Sequence, residues 1–292
     1  MRKHITILFT LWGIGSLAYG YEGPSPLRDI RVDCSIFFDG KQGMYSYSYK
    51  VTNPSVNDGE IRAIRIFIER DPQNDVNLSS EGLKHCSPYY DRHSSEDIFQ
   101  RAPLVPVGSD APKGWSCGYT MMGSYGWGSI DEPYRIKPGT SLGGFTLTSY
   151  GPPGIREILI HPGVDLDRLP PEYYENVAKT KALNEKVKWT GKTVGPKAPP
   201  KVFVPLDFLD NLISLKHQAL TLGWIDNEGV ENSLDVKLEN ARKKIEGGDI
   251  KTAKNILNAF LNEVKAQNGK HLSSEAYALL YFNGWYLIDH FQ

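Results

Sequence analysis

The densest set of side chains that could meet a ligand runs from Trp115 to Trp127, where Tyr119, Met121, Met122 and Tyr125 lie in a glycine-rich stretch. Aromatic rings on turns can stack on sugar rings or anchor a protein partner. Trp115, Tyr119, Tyr125 and Trp127 are therefore the candidate ligand-binding residues. The same spacing has a plainer account, because alternate residues of an inward-facing strand are also aromatic and a tryptophan beside a disulfide is a common sandwich core. Tyr45, Tyr47 and Tyr49 carry the same two readings, with core or cross-strand packing preferred.

Three cysteines follow the N-terminal apolar stretch: Cys34, Cys86 and Cys117. In an oxidising compartment thiols tend to pair, but three cannot all pair within one chain. Cys34 shares an alternating run with Ile30, Val32, Ile36 and Phe38, so it reads as a buried free thiol. Cys86 and Cys117 sit in turn-rich sequence and are the disulfide candidates, with Cys34–Cys117 as the competing pair. A metal site built from His85, Cys86 and His93 lacks any Cys-x-x-Cys or His-x-x-x-His spacing, and no metal is expected.

Motifs for catalysis are missing from the sequence. Gly123-Ser124-Tyr125-Gly126 does not have the Gly-x-Ser-x-Gly spacing of a nucleophile elbow, and no His-Glu-x-x-His occurs. Asp165 and Asp167 resemble a fragment of a calcium loop without its terminal Glu, and helix capping before Pro170 explains them better. No catalytic residue and no cofactor is assigned. Paired carboxylates for glycoside cleavage meet in space rather than in sequence, so a secreted glycoside-type hydrolase, its acids on the insertion 70–113 and the sheet edge, is the alternative reading.

The charge balance, 33 Lys+Arg against 34 Asp+Glu with a net charge of −1, argues against a nucleic-acid partner, which needs a basic excess to neutralise phosphates. Residues 1–20 read as a signal peptide: Arg2 and Lys3, an apolar stretch over 5–17, then Ala18-Tyr19-Gly20 as a small-x-small cleavage site. That stretch is shorter than the roughly 20 residues that span a bilayer. No later segment approaches that length. The mature chain is expected to be secreted or at the cell surface, with no integral membrane segment after cleavage.

Period-two alternation dominates from residue 28 to about residue 160, in runs at 29–38, 44–52, 61–69, 114–120, 134–136, 143–150 and 154–161. Lys137-Pro138-Gly139-Thr140 reads as a type II turn. Together these predict an antiparallel β-sandwich of immunoglobulin-like type over 21–166. The long insertion 70–113 contains a formal glycosylation sequon at Asn77-Leu78-Ser79 and a helix start at Ser94. A helix over 172–188 and a stiff linker over 190–205, rich in glycine and proline, fill most of 167–204. Four amphipathic helices then occupy 205–292. Glycines at 223, 247–248 and 269 stop them, and Asn227 or Asn232, Asp249 and Ser273 cap their starts. Arg242-Lys243-Lys244 reads as a solvated helix end that complements the helix dipole.

Within those helices stand Gly223-Trp224-Ile225-Asp226-Asn227, the string Asn-Ser-Leu-Asp-Val-Lys-Leu-Glu-Asn-Ala at 232–241, the string Gly-Asp-Ile-Lys-Thr-Ala-Lys-Asn-Ile-Leu-Asn-Ala-Phe-Leu at 248–261, and Trp285-Tyr286-Leu287-Ile288. This region resembles the FIMAH module, a helical unit near the C-termini of exported bacterial multidomain proteins. The resemblance implies an accessory or interaction role and names no catalytic residue. Gly284 departs from a good helix at a cost of about 1 kcal/mol relative to alanine, which a close helix crossing would explain.

The fold class expected is α+β with two segregated domains, a β-sandwich followed by a four-helix module. The function expected is exported, non-enzymatic binding of an extracellular polysaccharide or a surface protein, a second copy of the chain included. A structural spacer of a cell-surface assembly is the third reading.

Overall fold

Alternation decides the first half of the molecule. The computed structural model describes residues 25–68, 108–119, 124–163, 169 and 176–291. Its strands are β1 (Arg31–Asp39), β2 (Met44–Asn53), β3 (Ile61–Phe67), β4 (Gly108–Asp110), β5 (Trp115–Tyr119), β6 (Ser124–Ser129), β7 (Thr140–Ser149), β8 (Pro153–Pro162) and β9 (Trp189–Pro196). They form two antiparallel sheets, ordered β1-β2-β7-β4 and β5-β6-β3-β8-β9, neither closed into a barrel. Every second residue of β2, namely Tyr45, Tyr47, Tyr49 and Val51, is buried. From the other sheet Ile64, Ile66, Trp127, Ile158 and Ile160 join the same core. The two inner faces interlock through rings: Tyr49 lies 5.8 Å from Trp127, and Trp127 lies 5.8 Å from Phe145.

Two expectations about the connections change. The segment read as a linker over 190–205 contains β9, which pairs with β8 from Pro153↔Pro196 to Ile160↔Trp189. Its glycines and proline hid the strand, yet an edge strand tolerates them because only one side donates to a ladder. The region 70–113 contributes β4, which pairs with β7; the rest of it, with Asn77 and Ser94, lies outside the described residues, as do 1–24 and Asp165 and Asp167.

Among the described residues there are five α-helices: α1 (Val177–Val187), α2 (Pro205–Thr221), α3 (Glu228–Glu246), α4 (Ile250–Gln267) and α5 (Ser274–Asp289). The helix expected over 172–188 is α1. It belongs with the sheets, packing beside β8 and burying Leu183 and Val187 with Leu169 in a small separate cluster. The other four are the helical module. Asn227 accepts from Val230 N–H at 3.0 Å, Asp249 from Thr252 N–H at 3.1 Å and Ser273 from Ala276 N–H at 3.3 Å. Gly223, Gly248 and Gly269 take positive φ where the chain leaves a helix, a conformation that costs glycine little. Gly284 sits where α4 and α5 cross: a Cβ there would lie 2.8 Å from Leu261 Cδ2 and 3.2 Å from Phe260 Cε1. Arg242 is not simply solvated, because it pairs with Asp210 and ties α3 to α2.

The expectation of two segregated domains is also corrected. One continuous buried cluster runs from the sheets into the helical module. β1 is the edge of its sheet, and the Cys34 N–H points away from β2. Glu275 of α5, itself buried, accepts that N–H at 2.7 Å. An open sheet edge is a row of unpaired backbone groups, and α5 covers this one. Phe38 and Trp285 (4.8 Å) and Tyr45 and Phe282 (5.8 Å, edge-on) complete the seam.

Of the two cysteine pairings expected, the competing one, Cys34–Cys117, is excluded. Among the described residues no two cysteines are joined, and Cys86 lies outside them. Cys34 is a free, buried thiol with Sγ 3.5 Å from the Val194 carbonyl oxygen, whereas Cys117 Sγ sits beside Ser109 and Tyr125. The two sulfur atoms occupy different parts of the core, which separates Cys34 from Cys117.

Candidate binding site at the junction of sheets and helices

The aromatic candidates lie inside. Trp115, Tyr125 and Trp127 are all buried, Trp127 being only 2% exposed. Trp115 donates through Nε1 to the Tyr134 carbonyl at 2.9 Å and packs edge-on against Phe145 at 4.9 Å. Gly114 makes room for this arrangement: its φ is +80°, and a Cβ there would fall 2.0 Å from the Tyr134 ring. Trp127 donates to the Asp110 carbonyl at 3.0 Å. Tyr125 bonds Ser109, and burial pushes its hydroxyl up to about 12, with the Ser109 bond opposing that shift. Tyr119 ends β5 opposite Tyr125. Burying one such ring removes roughly 150–250 Å² from water, about 4–6 kcal/mol at 25 cal/mol per Å². Turning Trp115 or Trp127 outward would forfeit that for a sugar contact of lesser size, so their rings are core and give no exposed platform.

One polar cluster in the helical module has the composition of a metal site. His217 on α2 and Glu231 and Asp235 on α3 bring their ligand atoms within 4.8 Å of one another. The centre of this group is already served by a cation of the chain, however. Lys216 is fully buried and its ammonium pairs with both Glu231 and Asp235. A buried ammonium needs such partners because desolvating a lone charge costs several kcal/mol. The cluster is an internal ion network joining α2 to α3.

A cleft opens where the sheets meet the helices. It encloses about 270 Å³ between the turn at Pro152, the segment 197–204 and the first turns of α2. Its apolar walls are Pro152, Ala198, Pro200, Val202, Val204 and Phe208. Val202 is 76% exposed at the rim. Lys197, Asp207 and Asn211 supply polar groups, with Lys197 Nζ 3.5 Å from Asn211 Oδ1. The remaining lining residue is Asn283 of α5, only 2% exposed. Its Nδ2 donates to the carbonyls of Pro153 (2.9 Å) and Leu279 (2.7 Å). Two carbonyl partners identify the NH₂ end of this amide, so Oδ1 is the atom it offers to the cleft, and no described residue donates to it.

Sequence reasoning missed this site. Its lining comes from 152, 197–211 and 283, and half of the lining residues were read as linker. A signal was present nonetheless: Asn283 is a polar residue on the face of α5 shared with Leu279, Leu280 and Leu287, and a buried amide there requires partners. Among the described residues no catalytic residue cluster is evident, and no helix is long and apolar enough to cross a membrane.

Residues 209–289 match the family model of the FIMAH domain. The match covers α2 through α5 except the N-terminal turn of α2 and leaves the sheets unmatched. No curated protein matches the chain.

Proposed function

We propose that this is an exported, non-enzymatic interaction protein that takes its ligand in the cleft between the sheets and the FIMAH-type module. The sheet region is read as an immunoglobulin-like sandwich, in keeping with its two facing antiparallel sheets. The helical module then acts as an accessory unit fused to the sandwich edge, building one wall of the binding site and its floor. The same module and the apolar stretch over 5–17 support a secreted or cell-surface setting.

The observation that carries this reading is the Asn283 Oδ1 acceptor, which lies in an apolar cleft at a junction of two structural regions. Ligand sites favour such junctions and combine apolar walls with a few placed polar groups. The test is binding of the mature chain to immobilised extracellular proteins and to a polysaccharide panel, beside Val202→Glu. That variant puts a charge at the rim on an exposed residue and leaves folding unchanged. Saturable binding lost in the variant supports the cleft. Binding retained in the variant places the site elsewhere and sinks the proposal.

A further inference from the structure

The geometry points to an extended, uncharged peptide segment as the occupant of the cleft, read through its backbone. This deepens the proposed function and rests on it. The floor supplies a hydrogen-bond acceptor, Asn283 Oδ1, and a buried acceptor without a donor costs about 1–3 kcal/mol once water is excluded. The rim supplies donors. The N-cap of α2 is Val204, whose side chain cannot cap, and Pro205 follows it. The N–H groups of Leu206 and Asp207 therefore have no partner within the helix, and Val204 and Asp207 both line the cleft.

A peptide backbone presents alternating N–H and C=O groups, matching one acceptor on the floor and donors at the rim. A free anion fits less well, because the Asp207 carboxylate stands in the same first turn and offsets the positive helix end. Lys197 and Asp207 also balance one another in charge, so the cleft favours a neutral segment. A sugar fits less well for a different reason. Phe208 is the cleft's aromatic residue, and its ring stacks on Tyr286 at 5.0 Å and packs against Phe203 at 5.6 Å. The walls left to a ligand are proline, alanine and valine, which suit small aliphatic side chains. The volume of about 270 Å³ lies just under the roughly 300–1,000 Å³ of drug-sized pockets, so it holds a short stretch of chain.

The test selects a phage-displayed random heptapeptide library on the mature protein, with Val202→Glu used for counter-selection, and then N-methylates each amide of the recovered peptides in turn. The expected result is a set of neutral, aliphatic or proline-containing sequences. In these, one inner N-methyl group weakens binding about tenfold, the scale of one buried hydrogen bond, while neighbouring positions change little. A flat N-methyl scan, or peptides that bind Val202→Glu equally well, overturns backbone reading in this cleft. If no peptide is recovered but a polysaccharide binds in a manner lost in Val202→Glu, the peptide class fails and the cleft survives. If nothing sensitive to Val202→Glu binds, both readings fall.

Discussion

The sheet region and the helical module reach stability by opposite routes. The sheets depend on partners far apart in the chain: Tyr49 meets Trp127 and Phe145, and Cys34 pairs in register with Tyr49. Three of the module's four helices start from their own neighbourhood, through the caps Asn227, Asp249 and Ser273. The difference matters at the seam, where α5 serves both regions. It completes the helical bundle at Gly284 and also closes the sheet edge through Glu275. The site proposed for ligand lies at that shared helix, not in either region alone.

Removing the largest ring of the sheet core should break this comparison most severely. Trp127→Ala is expected to cost about 3–5 kcal/mol. Because the two regions share one core, far-ultraviolet and tryptophan signals should be lost together in urea. A separate later helical transition would show that the module folds independently of the sheets. Glu275→Ala removes the acceptor of a buried edge N–H and should cost about 1–3 kcal/mol. Cys34 reports on the same seam, since its thiol is held well above the usual range by burial first and by Glu275 second. Maleimide labelling of Cys34, negligible in the native protein, should become measurable in Glu275→Ala as the helix loosens.

A pH scan sharpens the contrast from the sheet side. His161 on β8 is lowered to about 4, chiefly by burial and then by Arg65 and Lys188, against about 6.5 in an unfolded chain. Above pH 6.5 the ring is neutral in both states and has no effect. As pH falls from 6.5 towards 4 the unfolded chain takes up a proton that the folded one refuses, so stability declines. Partial solvent screening limits the loss to roughly 1–2 kcal/mol, and His161→Gln should flatten that part of the profile in thermal melts.

Smaller effects belong to the module. Gly284→Ala gains about 1 kcal/mol of helix propensity but drives a methyl group into Leu261 and Phe260, an overpacking cost of about 1–3 kcal/mol. A net loss of about 1 kcal/mol is expected in urea titration, and a gain would show that the crossing is loose. Asn227→Ala should cost about 1 kcal/mol through the lost cap, with faster amide exchange confined to the first turn of α3.

Much of the architecture was legible from local pattern. Period two in Tyr45, Tyr47 and Tyr49 and in Ile64 and Ile66 marks the inner faces. The caps and stop glycines mark the helices, and Gly284 anticipated a close crossing. β9 was not legible, since Thr190, Gly191, Gly195 and Pro196 lack an apolar alternation, and its strand character comes from pairing with β8. Nor could spacing decide between platform and core for Trp115 and Trp127. Both lie at positions that either reading allows, and the facing sheet makes the choice.

The sequence by itself determined the periodicities, the caps, the helical module and the absence of local catalytic motifs, because each of these depends on residues within a few positions of one another. Only the tertiary structure decided that α5 closes the sheet edge, that Lys216 fills the acidic cluster, and that Asn283 carries an open acceptor to the floor of a cleft. Those features join residues up to 241 positions apart, as in the Cys34–Glu275 hydrogen bond. Contacts at such separation follow from how whole elements bury their apolar faces together, and no short stretch of the chain records that outcome.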